Sequence, residues 1–160
     1  MNISQNGIDL IKHYEGCSLT AYADPIGIMT IGFGHTGSDV YEGETISQDQ
    51  ADQLFLNDIS SFVKMLNNAL TVSLEQNQFD ALLSFLYNVG PGEVGVKDGL
   101  FHLKSGGPST LWKMIESENF SGATGQFTLW CRSGGVVLRG LLARRRSEQI
   151  LFSNNYLDFE

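Results

Sequence analysis

The chain has 160 residues, of which 42% are hydrophobic and 18% charged, with two cysteines and a formal net charge of −8. This composition is typical of a folded globular chain and excludes disorder, collagen and a disulfide-dense scaffold. No apolar run approaches the roughly 18 residues that cross a bilayer, and the N-terminus has no signal-peptide pattern. We therefore expect a chain that is made and kept in the cytosol.

The negative charge is concentrated in the first 60 residues, which carry nine acidic residues and one lysine, whereas residues 61–160 carry nine of each sign. This uneven distribution predicts two lobes of different electrostatic character. A nucleic-acid-binding protein normally shows a domain-wide basic surface, which this sequence does not have. We expect the run Arg144-Arg145-Arg146 to lie on a solvated helix face, with one arginine paired to an acid such as Glu148.

The first half of the chain predicts a helix, a small sheet and a second helix. Ser4 is a plausible N-cap for a helix that ends at Gly16. Residues 17–36 are rich in β-forming residues around a turn signal and predict a hairpin or a three-stranded sheet. The pattern Ser47-x-x-Gln50 predicts a capping box that begins a helix of about twenty residues linking the lobes.

The second half predicts helices separated by a glycine-rich loop. The stretch Glu75–Val89 is apolar on most sides, as expected for a helix buried in a core. Residues 92–110 are the most loop-like part of the chain. Further helices are predicted at Thr110–Ser117, at Ala123–Cys131, and from Gly134-Gly135 through Phe152.

Three side chains near the first predicted turn carry the clearest chemical signal. Glu15 lies at a helix end, Asp24 at a turn and Thr30 on the next strand, so a hairpin that folds back brings them to one surface. Two carboxylates with a hydroxyl near one of them can protonate a leaving oxygen and deliver water from the other side. From these residues alone, solvated surface acids are the favoured explanation of the pattern.

The residues around this cluster resemble a known signature. The segment Glu-Gly-x-x-Leu-x-Ala-Tyr-x-Asp-x-x-Gly-x-x-Thr-Ile-Gly-x-Gly-His-Thr, from Glu15 to Thr36, is similar to the catalytic signature of the phage-type lysozymes, glycoside hydrolase family 24. Residues 79–90 resemble that family's central core helix, and residues 134–148 resemble its C-terminal helix. The departure is Glu93–Pro108, which looks like an insertion and leaves the local chain path open.

The resemblance implies a fold. It predicts one lysozyme-like catalytic domain over residues 1–160, of the α+β class and predominantly α-helical. A small β-hairpin lobe at about 15–60 and a larger helical lobe at about 65–160 enclose an active-site cleft, and the N-terminal helix packs on the larger lobe.

The resemblance also implies a reaction, the hydrolysis of the β-1,4 bond between N-acetylmuramic acid and N-acetylglucosamine in bacterial peptidoglycan, which lyses the host as a phage endolysin does. By match to the family, Glu15 is the general acid, Asp24 stabilises the transition state and orients water, and Thr30 holds that water, with inversion at the anomeric carbon. Glycan-binding residues are expected at Gly32, Phe33, His35, Tyr87 and Asn88. For His35 a structural role within the hairpin is favoured.

The resemblance further implies action on peptidoglycan glycan strands. The length of the chain predicts a monomer, and the spacing of its histidines predicts no metal site. We expect no cofactor, no nucleic-acid partner and no membrane insertion. The protein would stay in the host cytoplasm until a holin releases it to the cell wall or periplasm. Two alternatives are a lytic transglycosylase and a non-catalytic wall-binding relative. The pair Asp24 and Thr30 argues against the first, and the intact set with Glu15 argues against the second.

Overall fold

The computed structural model describes residues 1–24 and 27–153, which form six α-helices, a three-stranded sheet and a two-stranded hairpin. Pro25 and Ile26, in the predicted turn, and residues 154–160, at the end of the predicted larger lobe, lie outside the described residues. The predicted α+β class with predominantly helical content is confirmed. Within the described ranges, none of the helices combines the length and apolar character that crossing a membrane requires.

Helix α1 (Gln5–Glu15) begins after Ser4 and ends at Gly16, as predicted. Ser4 is fixed by Asp80, whose carboxylate accepts a bond from the Ser4 hydroxyl and another, at 3.0 Å, from the Ser4 backbone N–H. A Cβ atom at Gly7 would lie 2.9 Å from the side chain of Asp80, so the glycine permits this close approach. Gly16 takes a φ of 69° and leaves Glu15 as the last residue of the helix.

The predicted sheet has three antiparallel strands, β1 (Ser18–Ala23), β2 (Met29–Gly32) and β3 (His35–Thr36), in that order. Thr30 at the centre of the sheet pairs with Tyr22 on one side and with Thr36 on the other. Directly paired residues project from the same face of a sheet, so these three side chains share one face.

Helix α2 (Gln48–Ala69) follows the small sheet and has 22 residues. The predicted capping box is present, because the Ser47 hydroxyl accepts from the Gln50 N–H at 3.2 Å while the Gln50 side chain accepts from the Ser47 N–H at 2.8 Å. One face of α2 is buried in the core through Ala51, Phe55, Ile59 and Leu66.

Helix α3 (Gln76–Val89) is the centre of the core, since every residue from Phe79 to Leu86 is buried. It contacts α1, α2 and the last helix, α6 (Arg139–Ser153). Because α3 is surrounded by these three helices, its sequence is apolar on most sides.

The glycine-rich stretch after α3 is held by backbone hydrogen bonds rather than by a further helix. Glu93 N–H donates to Lys97 at 2.9 Å, and Gly99 N–H donates to His102 at 2.8 Å. The loop is anchored by Leu100, which is fully buried and donates its N–H to Gly90 at 3.0 Å. These hydrogen bonds define the chain path of Glu93–Pro108, the segment that resembles an insertion.

The short helices match the sequence in part. Helix α4 (Thr110–Glu116) is confirmed to within one residue, and the Ser109 hydroxyl caps it at Trp112. The prediction of a helix over 123–131 is wrong. Helix α5 (Phe120–Thr124) begins earlier, because the Asn119 side chain accepts from Gly122 N–H, and the chain then forms a 3-10 turn at Phe127–Leu129.

The prediction that Gly134-Gly135 begins the last helix is also wrong. The two glycines form the turn between β4 (Arg132–Ser133) and β5 (Val136–Val137), and α6 begins only at Arg139. Both glycines have positive φ, 56° and 81°. A two-residue hairpin turn of this kind matches the twist of its strands, so the sequence pair favours a hairpin over a helix start.

We expect Leu82→Ala to destabilise the protein by about 2–5 kcal/mol, because Leu82 is fully buried in α3 and its removal leaves a cavity. The free energy of unfolding in urea measures this effect. Leu129→Ala, at a leucine that is 65% exposed, is the matched control and should change that energy by no more than about 0.5 kcal/mol. Equal effects of the two substitutions would contradict this description of the core.

Candidate active site

A cavity of about 430 Å³ opens where the end of α1, the β2–β3 turn, α2 and the end of α3 meet. Its size falls within the range of about 300–1,000 Å³ that is usual for ligand sites. Four of the residues predicted from the sequence line it, namely Glu15, Phe33, Tyr87 and Asn88. Five further residues complete the lining, namely Gly34, Thr36, Asp58, Ser61 and Phe62.

Glu15 reaches the cavity from the last turn of α1, and its side chain is 23% exposed. Its Oε1 atom accepts a hydrogen bond from Arg144 Nη1 at 2.6 Å, and the arginine side chain is 4% exposed. Gly34 lies beside the other carboxylate oxygen and has a φ of 92°. A Cβ atom at this position would lie 3.9 Å from Glu15 Oε2. One oxygen of Glu15 is thus held by the protein, while a glycine leaves space beside the other.

The prediction of a solvated arginine run is wrong for two of its three members. Arg144 and Arg145 are 3% and 0% exposed, and both pair with Glu148, which is 0% exposed. The distances are 3.3 Å from Arg144 Nε to Glu148 Oε1 and 2.8 Å from Arg145 Nε to Oε2. Spacings of three and four place these side chains on the face of α6 that packs on α3.

Glu148 is the centre of a buried polar network. Its Oε1 atom also accepts from the Ser84 hydroxyl at 2.8 Å. Burial raises the pKa of Glu148 and lowers that of Arg145, and in both cases the attraction between the opposite charges acts against the burial effect. The network extends to the cavity, since Arg145 Nη2 donates to Asn88 Oδ1 at 3.0 Å and Arg144 holds Glu15.

The side chains of Asp24 and Thr30 both form hydrogen bonds with the backbone of Ile28. Asp24 Oδ1 accepts from the Ile28 N–H at 2.8 Å, and the Thr30 hydroxyl donates to the Ile28 carbonyl at 3.2 Å. Neither residue is among the described residues that line the cavity. Thr30 is 6% exposed and shares a sheet face with its partner Thr36, which does line the cavity.

Gly32 and His35 both lie close to α2. Gly32 has a φ of 64°, and a Cβ atom there would lie 3.6 Å from Ala51 of α2. His35 Nδ1 is 2.9 and 3.0 Å from the two carboxylate oxygens of Asp58, and its Nε2 is 3.2 Å from Asp39 Oδ2. This geometry supports the structural interpretation of His35, and direct contacts of either residue with substrate stay predictions.

Two charged partners perturb the titration of His35. Burial acts to lower the pKa of His35, but the hydrogen bonds and charges of Asp58 and Asp39 outweigh it and raise the pKa above its ordinary value. The hydrogen bond with His35 correspondingly lowers the pKa of Asp39. The raised pKa favours a protonated imidazole that donates to both carboxylates.

The sequence does not by itself point to the cavity-lining residues that α2 contributes. Asp58, Ser61 and Phe62 lie on one helix face because their spacings are three and four. The sequence contains that periodicity, but it does not say which face of α2 borders a cavity. That choice follows from how α2 packs against β2 and α3.

Among residues 1–24 and 27–153, no three His, Cys, Asp or Glu side chains come together as metal ligands would. The lining of the cavity instead combines carboxylates, hydroxyls, an amide and aromatic rings. Such a set suits the binding and proton transfer chemistry of a neutral polar ligand. The expectation that no metal or cofactor takes part stays a prediction.

Comparison with known proteins assigns the family. The sequence model of the phage lysozyme family matches residues 12–148. The chain belongs to this phage lysozyme family. The endolysin of Bacillus phage B103 is 45% identical over 154 residues, which cover 95% of this chain and 54% of that protein, so the chain spans about half the length of this relative.

Solved structures confirm the lysozyme-like fold of this family member. The endolysin from Escherichia coli O157:H7 phage FAHEc1 has a TM-score of 0.82 and 34% identity, covering 99% of this chain and 98% of that one. The muramidase domain of SpmX from Asticaccaulis excentricus has a TM-score of 0.78 and 32% identity, covering 96% and 98%.

We expect the stability contributed by His35 to be lost at high pH. A pKa raised in the folded state stabilises the fold fully below about pH 6.5, the ordinary value of histidine, and this stabilisation disappears as the pH rises through the folded-state value. Urea unfolding of the wild type and His35→Gln should therefore differ most at low pH within the range where both fold. Asp39→Asn should weaken this pH dependence, and parallel pH profiles of wild type and His35→Gln would contradict it.

We expect Glu148→Ala to destabilise the protein by about 3–5 kcal/mol, because it leaves two buried arginines without their shared carboxylate. Urea unfolding measures the loss. Glu118→Ala, at an exposed glutamate outside the network, is the control and should change stability far less. A loss below about 1 kcal/mol for Glu148→Ala would mean that the arginines do not depend on this carboxylate.

Proposed function

We propose that this chain is a peptidoglycan muramidase, which hydrolyses the β-1,4 bond between N-acetylmuramic acid and N-acetylglucosamine and lyses the bacterial host. The observation that carries the proposal is the position of Glu15, which lines a solvent-open cavity and is held on one oxygen by Arg144. Membership of the phage lysozyme family and similarity to a muramidase domain support the same reaction.

In this proposal Glu15 is the general acid, and it donates a proton to the glycosidic oxygen as the bond to the anomeric carbon breaks. The bond from Arg144 fixes the carboxyl group in the cavity, so that the same oxygen faces the sugar in every turnover. The gap left by Gly34 beside the other oxygen gives the leaving group room to approach.

Asp24 and Thr30 position the water molecule that attacks the anomeric carbon. Asp24 orients it and stabilises the positive charge that develops on the sugar ring, while the Thr30 hydroxyl holds it on the face opposite the leaving oxygen. Their shared attachment to Ile28 supports a joint role, because it fixes the two side chains relative to one another. As the water oxygen bonds to the anomeric carbon, Asp24 accepts the proton that the water loses, and attack from that face inverts the configuration.

The glycan lies along the cavity in this proposal. Phe33 and Tyr87 supply aromatic surface, and Asn88 supplies an amide whose oxygen is already bonded to Arg145. Gly32 and His35 contribute to the same site indirectly, because they hold the small sheet against α2. Residues 1–160 act as one catalytic domain, with lobes at about 15–60 and 65–160.

The biological setting is part of the proposal. The chain acts as a monomer on glycan strands and neither binds nucleic acid nor inserts into a membrane. It is held in the host cytoplasm until a holin releases it to the cell wall or periplasm. The family relationship to phage endolysins supports this route.

We expect Glu15→Gln to lower the rate of muropeptide release from purified peptidoglycan by about 100- to 10,000-fold, the usual contribution of a general acid. Asp24→Asn should also lower the rate strongly. Mass spectrometry of the products should find hydrated reducing ends for the wild type. Glu42→Gln, at an exposed glutamate of the same lobe, is the matched control and should cleave at the wild-type rate.

Other products would contradict the proposal in defined ways. Anhydro sugar ends from the wild type would identify a lytic transglycosylase, and a folded wild type that releases nothing would leave a wall-binding role. Activity that persists in Glu15→Gln would exclude Glu15 as the acid.

A further inference from the structure

Helix α2 presents a polar and aromatic face to the cavity, to which neither the family signature nor the proposed reaction gives a role. Asp58, Ser61 and Phe62 line this cavity together with Glu15. Their spacings of three and four on a regular, capped helix of 22 residues place these side chains on one face. Ligand sites combine apolar surface with a few well-placed polar groups, and this wall contains both.

The Asp58 carboxylate has acceptor capacity left for a ligand. Both of its oxygens lie 2.9–3.0 Å from the same His35 nitrogen, so one N–H occupies this side of the group. An ionised carboxylate accepts about four hydrogen bonds in total. The side chain is 29% exposed, which leaves the group accessible from the cavity that it lines.

His35 fixes the orientation of this carboxylate. The imidazole is held on its other nitrogen by Asp39 and is itself only 14% exposed. A carboxylate that is oriented before binding loses little conformational freedom when a ligand arrives, so more of the hydrogen-bond energy appears as affinity.

Aromatic rings stand beside Asp58 along the cavity. The Phe62 and Tyr87 rings have centroids 5.1 Å apart, and both side chains line the cavity. Burial, followed by the charges of Glu15 and Asp58, raises the pKa of Tyr87 above its ordinary value, so its phenol stays protonated and can donate a hydrogen bond. A sugar ring has one apolar C–H face and several hydroxyl groups, which matches such a wall.

We infer that Asp58 binds the glycan directly, its carboxylate accepting hydrogen bonds from a hydroxyl or acetamido N–H of an N-acetylhexosamine that packs on Phe62 and Tyr87. The inference rests on the proposed function and deepens it, since it assigns a sugar subsite to α2. Asp58 is a binding residue here and takes no part in proton transfer.

The opposing explanation is that Asp58 only holds His35, and a matched pair of variants separates the two. Asp58→Asn and Asp39→Asn each remove one carboxylate from His35, but Asp58 lines the cavity while Asp39 does not line it. The measurements are KM and kcat on purified peptidoglycan, and the Kd of the N-acetylglucosamine tetramer by titration calorimetry, which does not depend on cleavage.

Asp58→Asn should raise KM and the Kd of the tetramer about tenfold, as expected for the loss of a hydrogen bond to a charged group, with kcat changed less than about twofold. Asp39→Asn should change all three values much less, because an amide oxygen at this position can still accept a hydrogen bond from His35 Nε2 and the residue does not line the cavity. Far-UV circular dichroism and thermal unfolding confirm that both variants fold. Equal losses in the two variants, or a wild-type Kd for Asp58→Asn, would overturn the inference.

A wild-type measurement covers the case in which Asp58→Asn does not fold. On addition of the tetramer, the carboxyl carbon resonance of Asp58 should shift further than that of Asp39. Equal or absent shifts would overturn the inference, as would the absence of tetramer binding at millimolar concentration. Binding that depends on Asp58 in a protein that cleaves nothing would refute the proposed function and leave the subsite standing.

Discussion

The arrangement of the helical part of the molecule depends on one buried carboxylate. Glu148 lies out of contact with water between Arg144 and Arg145, and such charges are tolerated in a protein interior only when they are paired and hydrogen-bonded. The two ion pairs form within α6, and the packing of α6 on α3 buries them and brings the Ser84 hydroxyl to Glu148 Oε1. The same arginines reach outward, Arg144 to Glu15 and Arg145 to Asn88. The interior electrostatics therefore position two of the side chains that line the cavity.

The two faces of helix α2 have different roles, one in the core and one in the cavity wall. One face buries apolar side chains against α3 and the sheet, and the other supplies Asp58, Ser61 and Phe62 to the cavity. The contact of His35 with Asp58 ties the small sheet to this helix, so the β-rich part is attached to the helical part by an ion pair as well as by packing. Protonation of one imidazole thereby affects both the stability of the fold and the orientation of a cavity-lining carboxylate.

Local signals predicted those elements whose boundaries are set by local hydrogen bonds. The Ser47–Gln50 capping box, the break at Gly16 and the apolar run of α3 all appear where the sequence indicates them. Predictions failed where a local pattern fits two structures. Gly134-Gly135 suits either a helix boundary or a hairpin turn, and pairing of the flanking strands selected the hairpin. The Arg144-Arg145-Arg146 run suits a solvated face by composition, yet the position of α6 against α3 buries its first two members.

The sequence by itself determined the helical class, the order of the elements from α1 to α4 and, through its family signature, the candidate residues Glu15, Asp24 and Thr30. Residue spacing and capping hydrogen bonds involve only a few neighbouring residues, so they can be predicted from the sequence. Only the tertiary structure decided that α2 forms a wall of the cavity, that His35 spans from the sheet to Asp58, and that two arginines are buried. These features join residues between 23 and 129 positions apart, and their distances depend on how whole helices pack rather than on any local pattern.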